Sequence, residues 1–126
     1  MDKTKFTYSF ISAADLSDKV GYAVKLDGTL GFNNQPKVNL AGAGDVVIGI
    51  IYDGGRQSGD EVTVVLAGIC EGYCGDTVVV GNLLKAEAGG GLVPAANTTD
   101  EQVCAIALGS GADGEKVAVL IRHMSV

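Results

Sequence analysis

The sequence predicts an all-β fold, a small β-barrel or β-sandwich of short strands, and three observations carry that prediction. The 126 residues include 19 glycines against 2 prolines and no tryptophan, a composition that favours many tight turns. The apolar residues fall in short runs that either alternate with polar ones or are β-branched throughout, and glycine bounds most of them. No stretch sustains the roughly 3.6-residue period of an amphipathic helix.

The first segment, Lys5-Phe6-Thr7-Tyr8-Ser9-Phe10-Ile11, alternates polar and aromatic residues, which puts Phe6, Tyr8 and Phe10 on one face of an extended strand. The chain holds only 3 Phe and 4 Tyr, so this face concentrates its aromatic surface. Two placements follow. The segment is a first strand packed on its own core, or an extended N-terminal arm that adds itself to a neighbouring chain by strand pairing. The expected division is an arm and connection over residues 1–16 and a single β-rich domain over 17–126, with Phe6, Tyr8 and Phe10 as the arm's partner contacts. At about 3.3 Å per residue, the first ten residues span on the order of 30 Å when extended.

Ser12 to Leu16 reads as a connection. Tyr22-Ala23-Val24-Lys25-Leu26 alternates as a half-buried strand, and Asp27-Gly28 supplies a turn. A polar, irregular stretch from Leu30 to Pro36 precedes a short alternation at Lys37-Val38-Asn39-Leu40. Ala41-Gly42-Ala43-Gly44-Asp45 leads into the β-branched run Val46 to Tyr52, and Glu61 to Ile69 forms its neighbour, with Val62, Val64 and Leu66 on one face. Gly75 to Lys85 contributes one or two strands, Gly89-Gly90-Gly91 a turn, and Pro94 to Asp100 a loop. Val103 to Leu108 and Glu115 to Arg122 repeat the earlier order of apolar strand, glycine loop, acidic residue and alternating strand. Two hairpin-like units that pack together are therefore expected.

Nine basic and fifteen acidic residues leave a formal charge of -6, the wrong sign for nonspecific nucleic-acid binding. No apolar run approaches the roughly 20 residues of a membrane-spanning helix, and the start MDKTKFTYSF lacks the apolar region of a secretory signal. The expectation is a soluble, unexported protein without nucleic-acid or membrane partners. Cys70, Cys74 and Cys104 are odd in number and sparse, and read as structural thiols in a reducing compartment.

Catalysis requires convergent ionisable groups, and the sequence offers few. Its one imidazole, His123, is three residues from the last residue, where chains commonly fray. The glycines at 42 and 44 precede a strand and not a helix, so the helix-start anion site of phosphate loops is missing. Asp27-Gly28, Asp53-Gly54 and Asp113-Gly114 lack the alternating ligand order of calcium loops and read as turns. Asp45, Asp60, Glu61, Asp76, Asp100, Glu101, Asp113 and Glu115 border turns, and no spacing among them singles out a catalytic pair. Asn97-Thr98-Thr99 matches a glycosylation sequon, which is discounted without a secretory signal. No catalytic residue, metal or cofactor is expected.

The ordered series Val46-Val47-Ile48-Gly49-Ile50, Gly59-Asp60-Glu61-Val62-Thr63-Val64, Gly81-Asn82-Leu83-Leu84, Gly90-Gly91-Leu92-Val93, Val103 to Leu108 and Gly114 to Leu120 resembles the capsid decoration, or cement, proteins of tailed bacteriophages. The likeness runs from about Tyr22 to Arg122, and the three cysteines and Asn33-Asn34-Gln35 depart from many relatives. The resemblance implies a compact β-rich body, a homotrimer on the outside of the head, made in the host cytoplasm, that bridges major capsid protein subunits and carries no active site. Two alternatives remain: a tail-associated or receptor-binding β module, and a lipoyl-like carrier, which needs Lys85 at a hairpin tip.

Overall fold

A computed structural model describes residues 5–30, 35–54, 57–95 and 102–125. Over them the chain is all-β: β1 (Lys5–Ser12), β2 (Ala23–Leu30), β3 (Pro36–Leu40), β4 (Gly49–Asp53), β5 (Glu61–Tyr73), β6 (Leu83–Ala86), β7 (Leu92–Pro94), β8 (Gln102–Ala107) and β9 (Lys116–Ser125). The order β1-β3-β2-β4-β5 closes on itself through an additional β1–β5 pairing, making a five-stranded barrel. All its pairings are antiparallel except β1 with β3.

The remaining strands grow from the far half of β5. Gly68 to Tyr73 pair with Ile121 to Lys116 of β9, and β8, β6 and β7 follow. β7 then returns to the end of β5, where Cys74 bridges to Leu92 and the Gly75 N–H donates to the Leu92 carbonyl at 2.8 Å. The long strand β5 is thus shared by two rings of strands, and each ring has its own core. Phe10, Leu16, Val24, Val38, Ile51, Val62 and Val64 fill the barrel. Ala23, Ile50 and Val65, with Leu84, Leu92, Cys104, Val119 and their neighbours, make the second core.

β2, β4 and β5 form the wall between these cores, and their sequences show why they can. Consecutive apolar pairs Ala23-Val24, Ile50-Ile51 and Val64-Val65 send one side chain to each side, as the period of two requires. Registers Ala23↔Ile50 and Ile50↔Val65 align the second-core members into a row across three strands. β5 then switches phase. Phe6 pairs with Ala67 but Thr7 with Val65, so Leu66 is an extra residue, a bulge. Before it, Val62 and Val64 face the barrel; after it, Cys70 packs on the second core. One inserted residue exchanges the faces of everything that follows.

Several expectations change. The segment read as an arm is, from Lys5 onward, a barrel strand that runs along β5 from Gly68 to Glu61 and touches β3 at Ile11↔Lys37. Burial of Phe10 and Ile11 holds it there, so the own-core placement is the one adopted. Asp27-Gly28 does not end a strand. β2 continues through it, with Gly28 at φ 90° and a register jump from Leu26↔Val38 to Leu30↔Pro36. The run Val46 to Tyr52 becomes a strand only at Gly49, because the preceding turn is locked by Asp45. The two hairpins are present as β4–β5 and β8–β9, joined edge to edge by β5–β9. The polar residues 31–34, and 96–100 of the Pro94–Asp100 loop with its Asn97-Thr98-Thr99 sequon, lie outside the described residues.

Candidate functional site

Strand β1 divides the three aromatic candidates. Phe10 is 9% exposed and belongs to the barrel core, whereas Phe6 and Tyr8 are each 55% exposed. The Tyr8 ring meets Phe10 edge-on at 5.1 Å, a favoured aromatic geometry, so the buried ring steadies the exposed one. Phe10 is therefore a core anchor, and the exposed aromatic side chains of β1 are Phe6 and Tyr8. Among the described residues, β3 pairs with β1 only at Ile11 and Ser12.

A groove of about 610 Å³ lies on the outer face of the β5–β9 pair, lined by Val20, Tyr52, Asp53, Ile69, Glu71 and Ala118 among others. Ile69 and Glu71 reach this face because of the bulge at Leu66, and the small Ala118 opposite Glu71 leaves the depression. At the end of β5, Tyr73 stacks on Tyr22 with centroids 4.3 Å apart, and Lys19 Nζ lies 5.0 Å above the Tyr22 ring. Burial, then the hydrogen bond to Tyr73, raises the Tyr22 phenol above its ordinary value.

The loop between Cys74 and Leu83 exposes Val79 and Val80 beside Leu108. The sequence reading places this valine run in or near a strand. Val-Val-Val is a strong strand signal, and nothing local marks two of the three as outward-facing. Leu26, Val46, Tyr52 and Ile69 are likewise exposed apolar side chains that alternation alone did not identify.

The ionisable candidates have structural surroundings. The Asp45 carboxylate accepts the Gly42 N–H at 2.8 Å and pairs with Lys25 Nζ at 3.1 Å; these contacts hold it below the usual carboxylate range. Asp60, Asp76 and Glu115 accept nearby backbone N–H groups from Gln57, Thr77 and Ala112. Cys70, Cys74 and Cys104 are not in disulfides and all pack in or against the second core. Burial raises the Cys74 thiol and pushes Cys104 up to about 12. His123 is on β9, whose last pairing is Gln102↔Ser125. Lys85 sits mid-strand, opposite Val93 on one side and Val103 on the other, and not at a hairpin tip. Among the described residues, no three His, Cys, Asp or Glu side chains converge as a metal site would require.

No protein-family model matches the chain, and no curated protein matches it. Among solved structures it is similar to the head fiber gp8.5 N base in bacteriophage phi29, at a TM-score of 0.70 and 14% identity, over 96% of this chain and 97% of that one. At that identity the likeness is one of fold.

Proposed function

We propose that the chain is a structural component of a phage virion: a non-catalytic decoration protein that sits on the outside of the head, bridges major capsid protein subunits and works as a homotrimer. The observation that carries this reading is the end-to-end fold likeness to a phage head-fiber base. The ordered strand series that resembles decoration proteins points the same way. So does the exposed pair Phe6 and Tyr8 on β1, which gives a capsid subunit an apolar surface beside a strand. Each backbone hydrogen bond added by strand pairing contributes about 1 kcal/mol net, and buried apolar area adds roughly 25 cal/mol per Å². Many copies on one shell turn such modest contacts into firm retention.

The neighbour also favours a second reading, in which the chain is the base of a fiber on the head. Electron microscopy of the purified particle separates the two, since a fiber base carries a projecting fiber and a decoration protein does not. The test is sedimentation of purified chain with expanded heads that lack it. Saturable co-sedimentation, weakened by Phe6→Ser and Tyr8→Ser, is expected; a chain left wholly in the supernatant overturns the proposal.

A further inference from the structure

Aspartate followed by glycine is especially prone to isomerise, because glycine has no Cβ to shield the amide nitrogen that attacks the carboxyl carbon. The chain has three such pairs, Asp27-Gly28, Asp53-Gly54 and Asp113-Gly114. Ring closure needs that nitrogen within about 3 to 3.5 Å of the carboxyl carbon in an attacking alignment. A backbone held fixed by pairing or packing does not reach it, so the fold decides which pair reacts.

Two of the three are held. The Gly114 N–H donates to the Cys74 carbonyl at 2.8 Å, and the turn around it is closed by the Glu115 N–H on the Ala112 carbonyl and by Glu115 Oε1 on the Ala112 N–H. Gly54 is buried so closely that a Cβ there would overlap the Leu16 carbonyl. Gly28 is exposed, and a Cβ there would meet no atom within 4 Å. The ladder of β2 on β3 jumps from Leu26↔Val38 to Leu30↔Pro36, so Asp27, Gly28 and Thr29 stand opposite the single residue Lys37. Three successive peptide units cannot all pair with one, and this bulge is the freest of the three pairs to reorient.

We propose that Asp27 is a site of spontaneous isoaspartate formation in the folded protein, selected over Asp53 and Asp113 by the bulge in β2. The Gly28 nitrogen forms a bond to Asp27 Cγ while a Cγ–O bond breaks, and the departing hydroxyl leaves with the amide proton as water, closing a succinimide ring. Water then adds to one ring carbonyl. Addition at Cγ breaks the new C–N bond and restores aspartate; addition at the main-chain carbonyl breaks the original peptide bond and leaves the chain running through Cγ. No other reactant is needed, and the mass is unchanged. Isoaspartate lengthens the main chain by one carbon opposite Lys37, and Lys37 is also the residue that joins β3 to Ile11 of β1. Product at Asp27 therefore loosens the seam that closes the barrel, where the Ala13 N–H donates to the Val38 carbonyl at 2.9 Å. The inference stands apart from the virion role.

The test ages the full chain at neutral pH and body temperature, folded and in urea, and maps isoaspartate in its peptides by chromatography and electron-transfer fragmentation. In the folded chain the product is expected at Asp27 at least tenfold faster than at Asp53 or Asp113, and in urea at comparable rates at all three. No product at Asp27 in the folded chain, comparable folded rates at the three sites, or the same preference for Asp27 in urea overturns the proposal. Hydrogen exchange at the Ala13 amide reads the consequence. It is expected to be faster in the aged chain than in the fresh one, and to stay at the fresh rate in aged Asp27→Glu, whose longer side chain closes a ring far more slowly. Equal exchange in aged and fresh parent chain overturns the loosening of the seam.

Discussion

Val64 and Val65 are consecutive, fully buried and committed to different cores, Val64 to the barrel and Val65 to the second ring. Ile51 and Ile50 stand opposite them in the same order. The wall they form is the structural centre of the molecule, because a sheet buried on both faces leaves no side for solvent.

Truncating either valine to alanine should cost about 2 kcal/mol, the transfer and cavity terms together. Since the two side chains point to opposite faces and share no core, the double variant should be additive to within about 0.5 kcal/mol. Urea unfolding of the two single variants and the double variant checks this, and a large coupling energy contradicts the two-core arrangement.

Glycine is required at the two ends of β4, at Gly49 on this wall and at Gly54 just after the strand, for space and not for backbone conformation. A Cβ on Gly49 would overlap the Val65 carbonyl and lie 2.6 Å from Val64 Cγ1; one on Gly54 would overlap the Leu16 carbonyl. Gly49→Ala and Gly54→Ala should each destabilise by more than about 3 kcal/mol. Gly109 has nothing nearer than Val117 Cβ at 3.8 Å, so Gly109→Ala should be neutral or stabilise by about 0.5 kcal/mol. Thermal melts of the three variants rank them.

Burial raises the Cys104 thiol from 9.0 to about 12 in the folded chain, while the unfolded chain ionises it near the ordinary value. The folded state therefore holds a proton that the unfolded state has released. The stability contributed is complete below about pH 9 and declines as pH rises toward about 12, at a slope approaching 1.4 kcal/mol per pH unit. Denaturant unfolding from pH 8 to about pH 11 should show a shallower decline for Cys104→Ala than for the parent chain. Parallel declines contradict the assignment.

Asp45 acts in the opposite direction. Its carboxyl is lowered by the Gly42 N–H and then by Lys25, so its contribution is present above the ordinary value near 3.8 and fades as pH falls through the lower folded value. Asp45→Ala should release the turn before β4, seen as faster hydrogen exchange at the Gly42 amide with little change in global stability. Unaltered exchange there contradicts the lock.

The stacked pair Tyr22 and Tyr73 joins the loop before β2 to the end of β5. A double-mutant cycle through Tyr22→Ala and Tyr73→Ala should give a coupling of about 1 kcal/mol. A coupling near zero makes the stack incidental.

The sequence by itself determined the all-β class, the strand cores and the pairing of two hairpins, because side-chain alternation and glycine punctuation are local signals that each strand carries whole. It also marked Phe6, Tyr8 and Phe10 as one face. Only the tertiary structure decided that Phe10 is buried while Phe6 and Tyr8 remain exposed, that Asp27-Gly28 bends a strand without ending it, and that Val79 and Val80 face outward. Each of these depends on a partner distant in the chain: the register of β1 on β5, the continuation of β2 along β3, and the hold of Ala107 and Ser110 on the loop tip. The bulge at Leu66 shows the reason most plainly. One unpaired residue in β5 reverses which side chains face which core, and its position is set by pairing with β1 some sixty residues away, which no reading of β5 alone contains.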